Sequence, residues 1–236
     1  MKVTAHRGAS GYAPENTLSS IKKAAELGAD GVEFDIQLTK DAVPIVFHDK
    51  TVDRCTNGCG EVFSLTLNEI KKLDAGLWFS DDYEKEQIPT LEEVLVLCNK
   101  LGLKVNIENK SYITENTPLL VDRLFDVIKD TDFNEENVLI SSFSYEILNL
   151  CQNKNPNIKL GYITETWTQK IKNNINNLNL FSININYLNV SSDIALDIKE
   201  SDYQLQVWTL NDINKLNELE QWNVDTVITD KPDLFI

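Results

Sequence analysis

Short runs rich in β-branched and aromatic residues recur along the chain, and between most of them apolar residues return every three or four positions. Strands therefore alternate with helices, the pattern of a parallel sheet with crossover helices. Strand segments are predicted at 2–6, 31–35, 104–108, 137–142, 159–163, 182–186, 204–208 and 225–229. Helical spacing covers 18–27, 91–101, 118–129 and 145–152, and more weakly 168–176, 192–199 and 213–222. Thr90 followed by Glu93 forms a capping-box pattern, and Gly28 and Gly102 sit just past helix ends. These units predict an α/β fold, a TIM (β/α)8 barrel spanning 1–236 as a single domain.

The segment "PIVFHD" also has strand character, but only the turn "TKDA" and its flanks separate it from the strand before. A parallel crossover needs about a dozen residues or more, so this segment is expected to fold back antiparallel. Residues 35–48 are thus read as the second strand leaving the barrel and returning in a β-hairpin. Between residues 50 and 89 only "LTLNEIKKL" is periodic. So long a connection is expected to be a loop or small subdomain lying over the functional face. The Asn-rich stretch 173–189 still carries recurring apolar residues and is read as part of the barrel.

With 42% hydrophobic and 25% charged residues, the composition is that of a folded globular chain. The formal charge of -15, from 37 acidic against 22 basic residues, argues against a nucleic-acid or anionic-membrane partner. An anionic substrate would need a local positive site, which a bound cation can supply. Neither a signal-peptide run nor a membrane span is visible, so a cytoplasmic location is expected. Cys55, Cys59, Cys98 and Cys151 lack the paired spacing of a zinc site and read as reduced thiols. The oligomeric state, a homo-oligomer included, stays open.

Active sites of parallel barrels lie at the C-terminal ends of the strands. His6 and Arg7 end the first strand, Glu33 and Asp35 the second, and Glu108 with Lys110 the third. Two residues apart on a strand, Glu33 and Asp35 share a face. Facing the lumen, they and Glu108 would hold a hard divalent cation through oxygen; facing the helices, they would pair with lysines. The only histidines are His6 and His48, suited to act as acid and base on a reacting centre. Arg7 and Lys110 offer a fork and a point charge to a phosphate, or neutralise the carboxylates. Trp208 ends the seventh strand and either walls the substrate or packs in the core.

The ordered series "AHRGASGYAPENT", "GADGVEFDIQLTKDAVPIVFHD", "TNGCG", "LDAGLWF", "IPTLEEVL", "VNIENK", "ISSF", "VWTLND" and "VDTVITDKPD" resembles the glycerophosphodiester phosphodiesterase family. That family is a TIM-barrel group related to the phosphatidylinositol-specific phospholipases C. The resemblance implies His6 and His48 as catalytic residues and Glu33, Asp35 and Glu108 as ligands of one divalent cation, Ca²⁺ or Mg²⁺. It implies that Arg7 and Lys110 contact phosphate, that Asn16 rather than Glu15 takes part, and that Phe143 and Trp208 face the substrate. The implied reaction is metal-dependent hydrolysis of a small glycerophosphodiester to sn-glycerol 3-phosphate and an alcohol, through a cyclic phosphate. A lysophospholipase D-type or cyclising reaction on a lipid, and a non-catalytic phosphate- or metal-binding barrel, are the alternatives. Asn109, where the family has an apolar residue, and Cys55, where Thr is common, depart from its pattern.

Overall fold

In the computed structural model, which describes residues 1–236, the strands are β1 (Lys2–His6), β2 (Gly31–Leu38), β3 (Pro44–Val46), β4 (Lys104–Asn109), β5 (Val138–Ser142), β6 (Lys159–Thr164), β7 (Ser182–Asn186), β8 (Gln204–Trp208) and β9 (Thr226–Thr229). All neighbouring pairs are parallel except β2 with β3, and β1 pairs with both β2 and β9. The sheet therefore closes on itself as an eight-stranded TIM barrel. β3 lies outside the closure, paired antiparallel through Ile36 with Val46 and Leu38 with Pro44. This pairing draws β2 three residues beyond its expected end at Asp35 and forms the hairpin predicted from the short turn.

The helices are α1 (Leu18–Glu26), α2 (Leu67–Ile70), α3 (Leu91–Leu101), α4 (Thr117–Asp130), α5 (Tyr145–Lys154), α6 (Gln169–Ile175), α7 (Ser192–Glu200) and α8 (Leu216–Gln221). All but α2 follow barrel strands and cover the outer face. Hydroxyl caps start several of them: the Thr90 side chain accepts from the Glu93 amide while the Glu93 carboxylate accepts from that of Thr90. The same reciprocal arrangement joins Thr17 and Ser20 at α1. The weak segment 213–222 divides into a 3₁₀ turn and α8, because the Asp212 side chain caps the turn by accepting from the Asn214 amide at 3.0 Å.

The main apolar core of 44 buried residues lies largely between strands and helices, with Phe34, Ile107, Ile140, Ile183 and Val207 among its strand members. Side-chain alternation puts the other set of strand residues in the lumen. Those include buried Asn106, Ser141, Ser182, Asn184, Gln206 and Thr226. Barrel lumens are ordinarily filled by branched apolar residues, so this one is unusually polar. Asn106 Oδ1, Ser141 Oγ and Asn184 Nδ2 lack protein partners, and buried groups of this kind are ordinarily satisfied by ordered water.

Residues 50–89 form an irregular layer held by its own apolar cluster. Val52, Cys55, Val62, Ile70, Ala75 and Ile88 pack against Ile45 and Phe47 of the returning hairpin arm. Cys55 thus has a packing role, and burial, with Glu15 nearby, pushes its thiol up to about 12. All four cysteines are free thiols. No helix is long and apolar enough to cross a membrane.

Candidate active site

Strand register assembles the acidic cluster. His6 is level with Glu33, Asp35 with Glu108, and Glu108 with Ser141 across β1, β2, β4 and β5. Phe34 is fully buried in the outer core, so Glu33 and Asp35 face the lumen. One oxygen from each of Glu33, Asp35 and Glu108 lies within 4.8 Å of the others. Burial and then the charge of Asp35 push Glu33 up to about 8, and the same two causes raise Glu108. Burial also works against the Asp35 carboxylate, but Lys110 and Arg7 outweigh it and lower its pKa. An oxygen-only donor set whose charges repel one another in a buried place fits a hard divalent cation.

The cationic side chains are drawn onto these acids. Lys110 Nζ stands 2.5 Å from Glu108 Oε1 and 3.3 Å from Asp35 Oδ1. Arg7 Nε is 3.3 Å from Asp35 Oδ2, and Arg7 Nη1 donates to Glu15 Oε1 at 2.8 Å. The Arg7 backbone adopts φ 54°, an uncommon left-handed conformation that directs its amide to Glu33 Oε2 at 3.0 Å. Asn16, also left-handed at φ 58°, donates from Nδ2 to Asp35 Oδ2 at 2.9 Å and accepts the Asp35 amide at 3.3 Å. Both ends of the Asn16 amide thus engage Asp35.

A cavity of about 260 Å³ opens above the cluster, lined by His6, Arg7, Glu33, His48, Glu108, Lys110, Phe143 and Trp208, with Ile163, Glu165, Thr209 and the polar floor of Asn106, Ser141 and Asn184. The Phe143 and Trp208 rings meet edge to face at 5.7 Å, and Trp208 Nε1 donates to the Asn184 carbonyl at 2.9 Å. A larger depression of about 870 Å³ occupies the opposite mouth, among the strand starts, and contains neither histidine.

Both histidines are oriented by carboxylates. His6 Nδ1 lies 2.7 Å from Asp230 Oδ1, and His48 Nδ1 lies 2.6 Å from Asp49 Oδ1. Asp230 and Asp49 are each held down to about 2, so both are acceptors, the two Nδ1 atoms carry protons, and Nε2 is left free for chemistry. Asp230 is depressed against its burial chiefly by the His6 hydrogen bond, and Asp49 chiefly by Arg54. His6 Nε2 faces Glu33 Oε2 at 4.0 Å. Burial pulls His6 down, but the Asp230 bond and the Glu33 charge prevail and raise its pKa. His48 is lowered by burial, with Arg7 and Lys110 adding to that effect against Asp35.

Sequence reasoning missed Asp230, Asp49 and Arg54. Closure was the available signal for Asp230: the last strand of a barrel lies beside the first, so "VITD" ends next to "VTAH". Asn109 points away from the site, with Nδ2 3.9 Å from Cys151 Sγ on α5.

The fold and this site define a TIM barrel that brings together two carboxylate-oriented histidines, two cations and three acids. Residues 6–234 match the glycerophosphoryl diester phosphodiesterase family. A glycerophosphodiester phosphodiesterase of Caldanaerobacter subterraneus is 40% identical over 99% of this chain and 96% of its own length. One from Bacillus subtilis is 33% identical over 98% and 84%. Among solved structures, an Oleispira antarctica phosphodiesterase in complex with the product sn-glycerol-3-phosphate superposes with a TM-score of 0.94 at 32% identity, covering 99% of this chain and 94% of that one. The chain belongs to the glycerophosphoryl diester phosphodiesterase family.

Proposed function

We propose that this protein hydrolyses glycerophosphodiesters to sn-glycerol 3-phosphate and an alcohol, using His6 and His48 as the acid/base pair. The observation that carries this reading is the cavity itself: two imidazoles with free Nε2 atoms border the same space as Arg7, Lys110 and the carboxylate cluster. Its chemistry is that of a phosphodiester held between cations while protons move on either side.

Glu33, Asp35 and Glu108 would hold a divalent cation, Ca²⁺ or Mg²⁺, which would supply charge neutralisation at the phosphodiester. Arg7 and Lys110 bind the phosphate oxygens, the guanidinium as a fork and the ammonium as a point charge. One histidine takes the proton of the glycerol hydroxyl next to the ester, and that oxygen attacks phosphorus. The other histidine protonates the departing alcohol oxygen as its bond to phosphorus breaks. Water then opens the resulting cyclic glycerol phosphate, with the two imidazoles in exchanged roles. Phe143 and Trp208 form the apolar wall for the carbon skeleton.

The test is release of glycerol 3-phosphate from glycerophosphocholine by the purified protein, with EDTA removal and add-back of single metals. Release with Ca²⁺ or Mg²⁺ and loss with EDTA are expected, and phosphorus NMR should show a cyclic species that is consumed. Absence of glycerol 3-phosphate with every cation overturns the reading.

A further inference from the structure

Arg54 comes from the insertion, not from the barrel, and its guanidinium bridges Asp49 to Glu15. Its Nε donates to Asp49 Oδ2 at 2.6 Å and Nη2 to Asp49 Oδ1 at 3.0 Å. On its other edge Nη1 donates to Glu15 Oε2 and Nη2 to Glu15 Oε1, both at 2.8 Å. Glu15 in turn accepts from Arg7, and Asp49 accepts from His48. One guanidinium therefore forks onto two carboxylates, and each carboxylate orients a residue lining the reaction cavity.

Arg54 is itself anchored. Val52 and Cys55, on either side of it in sequence, are buried in the apolar cluster of the insertion. The Val52 amide donates to the Gly60 carbonyl at 2.9 Å, and Thr51 bridges Glu61. The Arg54 side chain is 46% exposed, and a single ion pair at such a place contributes little stability. Two simultaneous bidentate contacts are a different matter, because the planar fork fixes direction as well as charge.

We propose that Arg54 is a positioning residue: by holding Asp49 against His48 and Glu15 against Arg7, the insertion sets the tautomer and aim of the His48 imidazole relative to the phosphate-binding Arg7. This rests on the acid/base reading of His48 given above. Without Arg54, nothing but His48 holds the Asp49 side chain, which turns to solvent and releases the ring to exchange Nδ1–H for Nε2–H. A lysine cannot replace the guanidinium fully, since one point charge lacks the two edges.

Nitrogen-15 NMR of the imidazoles reads this directly. With two histidines in the chain, His48→Gln assigns both rings. Asp35, Arg7 and Lys110 also bear on the His48 charge, so the readout is the tautomer at a pH where the ring is neutral, not its titration. The wild type should show the Nδ1–H form at both histidines. In Arg54→Gln, His48 should become a mixture of tautomers while His6 stays as it was, and kcat should fall about tenfold with KM little changed. Arg54→Lys should fall between the two. An unchanged His48 tautomer in Arg54→Gln overturns the proposal, as does equal disturbance of both histidines, which marks general loosening, or a kcat within about twofold of wild type. A tautomer change confined to His48 in a protein that never releases glycerol 3-phosphate leaves Arg54 in its positioning place and overturns the acid/base reading.

Discussion

The His6–Asp230 and His48–Asp49 pairs have nearly the same geometry and opposite origins. His6 and Asp230 are 224 positions apart and meet because the last strand closes against the first. His48 and Asp49 are adjacent, on a hairpin arm outside the barrel. Asp230 is further fixed by Ser10 Oγ at 2.9 Å and Asn211 Nδ2 at 2.6 Å, whereas Asp49 depends on Arg54 from the insertion. A long-range pair built on closed strands inherits the rigidity of the barrel. A local pair on a short arm needs a clasp from elsewhere to gain the same definition.

The largest effect should come from removing either ring. His6→Gln and His48→Gln should each lower kcat by about 10² to 10⁴, the range of acid/base contributions. Calcium binding measured by calorimetry should survive both, since neither imidazole is one of the three oxygen donors. A variant that keeps near-normal kcat removes its histidine from the pair.

A smaller and unequal loss should follow when the carboxylates are neutralised. Asp230→Asn should cost about 100-fold and Asp49→Asn about tenfold in kcat, both within the usual range for groups that orient a reacting residue. The inequality follows from anchorage, since Ser10 and Asn211 fix the Asp230 side chain besides His6, whereas Asp49 has only Arg54 besides His48. Equal losses would erase the distinction between a rigid pair and a clasped one.

The smallest effect concerns the acids beneath the two histidines. Glu33, pushed up to about 8 by burial and by Asp35, holds its proton more tightly than an ordinary carboxyl in the metal-free protein. A cation must displace that proton, so affinity should rise with pH, by up to about tenfold per unit, and level off above about 8. Calorimetric titrations of Ca²⁺ across this range, in buffers of different ionisation enthalpy, measure affinity and released protons together. Bound cation should also lower the titration of both histidines, since Glu33 lies 4.0 Å from His6 and the charge of Asp35 acts on His48. A flat affinity profile would separate Glu33 from the cation.

Much was legible from local pattern. Strand and helix positions followed from apolar spacing, the hairpin from a turn too short for a crossover, and the carboxylate rim from the rule that barrel strands end at the site. Those inferences concern near neighbours in sequence, where alternation and loop length leave few choices. The family resemblance implies a part for Asn16 in the site, and only the folded chain shows its amide bonded to Asp35. Asp49 follows His48 directly, yet nothing in "HD" indicates that Arg54 must hold it.

Periodicity and turn length are written into adjacent positions, so the order of the elements and the residue types at the strand ends are legible in the chain. Which charges meet depends on contacts between distant elements. Closure of the barrel set Asp230 on His6, strand register set Glu108 beside Asp35, and packing of the insertion set Arg54 between Glu15 and Asp49. Each of these contacts depends on the direction of a side chain across elements far apart in the chain, and no local rule fixes that direction.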